Sequence, residues 1–211
     1  MAVTRRDMAL EFLRSRAADT MPHLNGTLLD HLLGTERLLR SWGSPEELCL
    51  AGLCHAAYGT EGFAPFLVSW SDRGLMAGAL RDAGAAGNGA LGAVVEETVY
   101  FYGSCDRSVL YPQLGGHGPV TFRDRFLDAT FEPSAAQLRD FVDLTLANEL
   151  EIAIDGGGPL GPSSDLPAWI GPLVEHIQNR ASPRARRGAL SLLGQTGDGS
   201  DRDAFGAAGL L

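Results

Sequence analysis

The chain has 211 residues, of which 45% are hydrophobic and 20% charged, and its formal net charge is −9. Its length and apolar content suffice for one substantial core, and its acidic balance argues against a basic surface that binds nucleic acid or anionic membranes. All 17 basic residues are arginines, which excludes a lysine Schiff base or a lysine nucleophile. We therefore expect neither nucleic acid nor an anionic membrane surface as a partner.

The start of the chain and the cysteines indicate the compartment. Charges are spread over the first 20 positions, so the uninterrupted apolar stretch of a signal peptide is missing. The apolar runs are also shorter than the roughly 20 residues that a membrane helix needs. The three cysteines show neither a disulfide framework nor zinc-ligand spacing. We expect a cytoplasmic protein that does not insert into a membrane.

Helical signals dominate the chain from end to end. We predict helices over 5–17, from a cap at Asn25 to about 42, over 45–57, around 73–83, over 91–103, over 133–154 and over 168–179. In the third of these, Ser44 is expected to cap a helix that has Pro45 in its first turn. Strand signals are scarce. The expected fold class is all-α, with one helical domain over 1–192 and a flexible Gly/Asp-rich tail over 193–211.

Three polar side chains are expected to face the core. His31 lies on the apolar stripe of its helix, His55 shares a stripe with small residues, and Asn148 shares one with apolar residues of the long helix. A single inward histidine is more often a hydrogen-bonded core residue. Three buried polar groups would each cost about 1–3 kcal/mol without partners, so together they predict a shared site. That site is either a metal centre or a solvated substrate pocket.

The run HLLGTERLLRSWGSPEELCLAGLCHAAYGT, residues 31–60, resembles the HD superfamily of helical metal-dependent phosphohydrolases and its oxygenase branch typified by myo-inositol oxygenase. In that pattern one helix carries a first histidine, AxLxHD supplies a second, and a later helix supplies a final aspartate. His31 and His55 take the two histidine positions. Ala56 and Asn148 stand where the family has its aspartates, so the resemblance is to a divergent branch.

The resemblance implies an HD-like enzyme that acts on a small polar metabolite with the help of one divalent metal ion, iron or manganese being expected. The metal ligands it implies are His31, His55 and Asn148. The candidates that compensate for the missing aspartates are His23 and Glu61, and further Glu97 and Asp106. The reaction is metal-assisted hydrolysis, iron-dependent oxidation, or metal-free acid/base chemistry of the lyase or cyclase type. A degenerate relative that binds a ligand without turnover is the remaining alternative.

Further residues are expected around the same pocket. The candidate catalytic residues are His31, His55, Tyr58 and Glu61, and the candidate substrate-binding residues are Thr35, Thr60, Glu97, Asp106 and Arg107. Arg107 suits bidentate recognition of a carboxylate or phosphate, although with Asp106 it could equally form a structural ion pair. Glu96 and Glu97 are adjacent on a predicted helix, so only one of them is expected to face inward.

Overall fold

The structure is a computed structural model that describes residues 3–24, 26–81, 89–155 and 166–195. Within these ranges it is mostly helical, with nine α-helices and two short antiparallel hairpins. The helices are α1 (Arg5–Ser15), α2 (Leu28–Ser41), α3 (Glu46–Cys54), α4 (Arg73–Ala79), α5 (Gly89–Ser104), α6 (Arg107–Leu110), α7 (Ala135–Asp155), α8 (Ile170–Ile177) and α9 (Pro183–Gln195). The strands are β1 (Pro22–His23), β2 (Gly26–Thr27), β3 (Phe122–Asp124) and β4 (Ala129–Phe131). Within the described ranges, every helix is too short or too polar to cross a membrane.

Threonines begin the first two helices. Thr4 and Thr27 each accept a hydrogen bond from the backbone N–H three residues later, and the carboxylates of Asp7 and Asp30 accept from the threonine N–H in return. This reciprocal arrangement is a capping box, which satisfies donors that a helix start leaves free. The prediction that α2 begins with a cap at Asn25 is therefore wrong, because Thr27 caps it; Asn25 itself lies outside the described residues.

The central helix α3 packs against α1, α2, α5 and α7. Its residues from Leu48 to Cys54 are all buried, which explains the predicted apolar character on every side. It is shorter than the predicted span 45–57. Pro45 rather than Ser44 occupies the cap position, without a side-chain hydrogen bond, and the helix ends before His55, which is its C-cap. His55 therefore projects from the end of α3.

Buried apolar side chains form two clusters, and α2, α3 and α5 contribute to both. One cluster joins these helices to α1 and α4 and includes Leu13, Leu32 and Val99. The other joins them to α7, α8 and α9 and includes Phe141 and Val174. The three shared helices thereby tie the two ends of the chain into one bundle.

The two hairpins and α9 were not predicted. The β1–β2 hairpin pairs His23 with Gly26, and the β3–β4 hairpin pairs Phe122 with Phe131. Strands of two or three residues are too short to show a period-two alternation. The fold is therefore mostly helical rather than strictly all-α. Helix α9 continues to Gln195, past residue 193 where the tail was expected to begin, and residues 196–211 lie outside the described part of the chain.

Substituting Gly188 with alanine should destabilise the fold. A Cβ at Gly188 would lie 2.1 Å from Cδ1 of Trp42 at the end of α2, so the indole or α9 would have to move. We expect a loss of about 1–3 kcal/mol in the free energy of unfolding, measured by denaturant titration.

The matched control is Gly194→Ala in the same helix. A Cβ there has no neighbour within 4 Å, so the better helix propensity of alanine should leave stability unchanged or raise it by up to about 1 kcal/mol. Equal effects of the two substitutions would contradict the packing of α9 on Trp42.

Candidate functional site

Three polar side chains meet inside the bundle from three segments of the chain. His31 comes from α2, His55 from the end of α3 and Asn148 from α7, and all three are buried. His31 Nε2 lies 3.2 Å from His55 Nε2 and 3.1 Å from Asn148 Oδ1. We call these three residues the His–His–Asn centre.

Hydrogen-bond acceptors behind both imidazoles determine which ring nitrogen carries the proton. His55 Nδ1 donates to the carbonyl oxygen of Gly52 at 2.8 Å, and His31 Nδ1 donates to Oε2 of Glu151. An acceptor opposite Nδ1 holds the proton there and leaves a lone pair on Nε2. In their neutral forms, both rings therefore turn lone pairs towards each other.

The amide of Asn148 is oriented by its neighbour in α7. Its Nδ2 donates to Oε1 of Glu149 at 3.2 Å, so the acceptor Oδ1 faces His31. Two imidazole nitrogens and one amide oxygen then converge as acceptors. Acceptors at these separations are unfavourable unless a cation or a donor lies between them, either a metal ion or a proton on one of the Nε2 atoms.

Burial favours the neutral form of His55 and of His23. Desolvation by burial lowers the pKa of His55 to about 3, and proximity to His31 acts in the same direction. The same two causes lower the pKa of His23 to about 4. His55 and His23 are therefore uncharged at pH 7, the state in which a histidine can bind a metal.

His23 lies beside the centre on strand β1. Its ring centroid is 4.7 Å from that of His31 and 4.5 Å from that of Phe63. Its Nε2 atom is buried and has no hydrogen-bond partner among the described residues. His23 thus packs against His31 ring to ring and keeps an unused nitrogen close to the centre.

The centre opens into a cavity of about 220 Å³. Its lining includes His23, His31, His55, Thr60, Phe63, Arg107, Asn148 and Glu149. This volume is below the roughly 300–1,000 Å³ typical of sites for drug-sized ligands, so it suits a small metabolite. A second cavity of about 320 Å³ shares His23 and His31 with the first and is also lined by Asp30 and Glu151.

A half-buried ion pair supplies charge to the smaller cavity. Arg107 Nη1 lies 3.4 Å from Oε1 of Glu149, and Arg107 Nη2 donates to the hydroxyl of Tyr102 at 3.1 Å. The Nε of Arg107 is buried without a partner among the described residues. Burial raises the pKa of Glu149, while Arg107 opposes that shift. The guanidinium therefore keeps donor capacity next to the His–His–Asn centre.

Two predicted residues lie close to this cavity without belonging to the centre. Glu61 is exposed, and its carboxylate accepts a hydrogen bond from the backbone N–H of Arg107. Thr35 is fully buried one helical turn after His31, and its hydroxyl has no partner among the described residues. Thr35 packs towards Gly52 in α3 and does not line the cavity.

Three further predicted residues are placed elsewhere. Tyr58 donates to Glu96 at 2.8 Å on another side of the bundle. Asp106 caps α6 and pairs with an exposed arginine, Arg123, at 3.1 Å. Glu97 is exposed on α5, whereas Glu96 faces inward. Asp106 is separated from Arg107, and Glu97 from Glu96, because consecutive residues at the start of a helix or within it point in different directions.

Sequence reasoning missed both acidic residues that contact the centre. Glu149 directly follows Asn148, and Glu151 follows it by three positions, which places Glu151 on the same face of α7. That spacing in the segment NELE was the available signal. A second signal was Gly34, three residues after His31, because glycine inside a helix often marks a close approach of another group.

The donor set of the centre fits one divalent metal ion. Two neighbouring ligands, each 2.0–2.2 Å from one ion, lie about 3 Å apart, which matches the separations at His31 Nε2 of 3.1 and 3.2 Å. Within the described residues, no group of three or more His, Cys, Asp or Glu side chains is arranged to hold a metal. An ion here would therefore need the Asn148 amide oxygen as its third ligand. The donors are too few for a pair of ions.

Comparison with known proteins gives one similarity. Residues 12–107 match the model of a family described as a domain of unknown function, DUF6817. The matched segment is just under half of the chain; it includes His31, His55 and Arg107 and ends before α7. No curated protein and no solved structure matches the chain. The relationship to the HD superfamily therefore stays a prediction.

Proposed function

We propose that the protein is an enzyme that acts on a small anionic metabolite at the His–His–Asn centre, which holds one divalent metal ion. The observation that carries this proposal is the convergence of three acceptor atoms at 3.1–3.2 Å. Both Nδ1 protons are engaged behind the rings, so a cation is the partner that satisfies all three acceptors. Iron and manganese are the ions expected from the HD resemblance.

Uncharged ligands favour hydrolysis over oxidation as the reaction. An ion bound by two neutral imidazoles and an amide keeps its full charge and supplies Lewis acidity to a substrate carbonyl or phosphoryl oxygen. Iron oxygenases of the two-histidine type also use a carboxylate ligand, and Asn148 offers an amide at that position. We therefore propose metal-assisted hydrolysis, with oxidation as the alternative reaction.

Arg107 indicates the kind of substrate. Its side chain is only 19% exposed, and its carboxylate partner Glu149 is at the long separation of 3.4 Å. A buried guanidinium with an unused Nε donor in a cavity suits a carboxylate or phosphate group of the substrate. In this arrangement Arg107 binds the anionic end and orients the substrate, while the rings of His23 and Phe63, which contact each other, also line the cavity.

Replacing Arg107 with lysine should weaken anion binding. Lysine keeps the positive charge but loses the planar fork of donors, so we expect the affinity for inorganic phosphate or acetate to fall about tenfold or more. Binding is measured by titration of the full chain, followed by nuclear magnetic resonance (NMR). Arg123→Lys is the matched control, because Arg123 is exposed and pairs with Asp106 and Asp128 away from the cavity. Equal affinities of the two variants would contradict the role of Arg107.

A metal-free acid/base enzyme is the second candidate, and the His31–Glu151 pair favours it. A histidine backed by a carboxylate can take a proton at Nε2 and stabilise the resulting imidazolium. His55 Nε2, at 3.2 Å, can accept a hydrogen bond from that imidazolium. The two candidates are separated by elemental analysis of protein purified without chelator: about one ion per chain supports the metal enzyme, and none supports acid/base chemistry.

A further inference from the structure

We infer that Glu151 is a positioning residue, which holds His31 in the tautomer with its proton on Nδ1, and that Gly34 provides the space through which it does so. The inference rests on the proposed function for its consequence at the His–His–Asn centre. Its main observable, the position of one proton on His31, requires neither metal nor substrate.

The contact joins two helices that are far apart in sequence. Helices α2 and α7 pack side by side, and Oε2 of Glu151 accepts the Nδ1 proton of His31. The two side chains are 6% and 5% exposed, respectively. Removing a carboxylate from water costs several kcal/mol unless a partner offsets that loss. A buried carboxylate at this position is therefore explained by the imidazole it contacts.

Gly34 makes the approach of Glu151 possible. A Cβ at position 34 would lie 2.6 Å from Cγ and 2.7 Å from Oε1 of Glu151, which is closer than real Cβ contacts. Glycine within a helix costs about 1 kcal/mol relative to alanine. Gly34 lies inside α2, away from the glycines with a positive φ at positions 43 and 59. The space that it leaves for the carboxylate is thus the structural reason for a glycine here.

The consequence of this contact lies on the opposite side of the ring. With the proton on Nδ1, His31 directs the Nε2 lone pair at His55 and Asn148; with the proton on Nε2, it would direct a donor there. A carboxylate behind an imidazole also makes the ring a stronger ligand or base, and its loss typically lowers metal affinity about 10–100-fold. Glu151 therefore acts on the centre through His31 without touching the other two residues.

The tautomer of each histidine is measured by long-range proton–nitrogen NMR correlation on the full, chelator-treated chain at mildly alkaline pH. We expect wild-type His31 to be protonated on Nδ1. Glu151→Ala should move the proton to Nε2, where His55 and Asn148 accept it, and Gly34→Ala should have the same effect by displacing the carboxylate. Glu151→Gln, which keeps an acceptor oxygen, should largely restore the wild-type tautomer.

Glu36→Gln is the matched control for loss of a buried carboxylate in the same region. Glu36 lies on α2 with 1% exposure and pairs with Arg6 and Arg40. Glu36→Gln should lower the stability of the fold while His31 keeps its tautomer. If Glu151 had only a structural role, Glu151→Ala would likewise lower stability and leave the tautomer of His31 unchanged.

The inference is overturned if wild-type His31 carries its proton on Nε2, or if neither Glu151→Ala nor Gly34→Ala changes its tautomer. Metal titration then separates the inference from the proposed function. A fall of about 10–100-fold in affinity for Mn²⁺ in Glu151→Ala supports both. A changed tautomer in a protein that binds no metal supports the positioning role and refutes the metal enzyme.

Discussion

Replacing either His31 or His55 with alanine should abolish the metal binding that we propose for the His–His–Asn centre. Each substitution deletes one of the three proposed ligands. Loss of a residue that only supports a ligand lowers metal affinity about 10–100-fold, so loss of a ligand itself should lower it by more than about 100-fold. The measurement is elemental analysis of protein purified without chelator, followed by calorimetric titration with Mn²⁺ or Fe²⁺.

His117→Ala is the matched control, because His117 is exposed in a glycine-rich loop. It removes an imidazole from the surface and should leave the metal content unchanged. Circular dichroism should show that all three variants keep their helical content. Retention of the ion by both His31→Ala and His55→Ala would refute the site, and a wild-type protein without metal would leave acid/base chemistry as the proposal.

Replacing Asn148 with aspartate should strengthen metal binding and make the fold depend on it. A carboxylate in place of the amide converts the centre to two histidines and one carboxylate, the donor set that divalent iron and manganese prefer. Without metal, the new carboxylate would face Oε1 of Glu149, which the amide nitrogen now contacts at 3.2 Å. Like charges at that distance are unfavourable.

We therefore expect chelator-treated Asn148→Asp to melt several degrees below the chelator-treated wild type. Added Mn²⁺ should raise its melting temperature more than it raises that of the wild type, because ligand binding stabilises the fold in proportion to affinity. Asn179→Asp, at an exposed asparagine outside the site, should show neither effect. A metal response in Asn148→Asp no larger than in the wild type would contradict ligation at position 148.

The inward direction of the two histidines illustrates what local pattern predicts. His31 lies on a stripe of apolar residues with helical spacing, and this periodicity indicates which face of α2 is buried. The short connection between α2 and α3 makes the two helices neighbours. The periodicity and the short connection together explain why His31 and His55 were expected to lie close to each other. In the structure their Nε2 atoms are 3.2 Å apart.

The separation of Asp106 from Arg107 illustrates what local pattern misses. The two residues are adjacent, and the sequence left open whether they pair with each other. In the fold Asp106 caps α6 and turns to Arg123, while Arg107 turns inward to Glu149. The N-cap and the first residue of a helix point in different directions, which explains why the two side chains separate. Their partners, Arg123 in β3 and Glu149 in α7, are distant in sequence, so local spacing does not reveal them.

Helical periodicity was sufficient to predict most of the helices and the inward direction of His31, His55 and Asn148, because it depends on residues a few positions apart. The partner of His31 depended on packing between α2 and α7. Glu151 lies 120 positions after His31, and periodicity identifies the buried face of each helix without identifying the helix opposite. The cavity and the inward turn of Arg107 arise from the same long-range packing. The hairpin that carries His23 is local, but its two-residue strands are too short to show a period-two alternation.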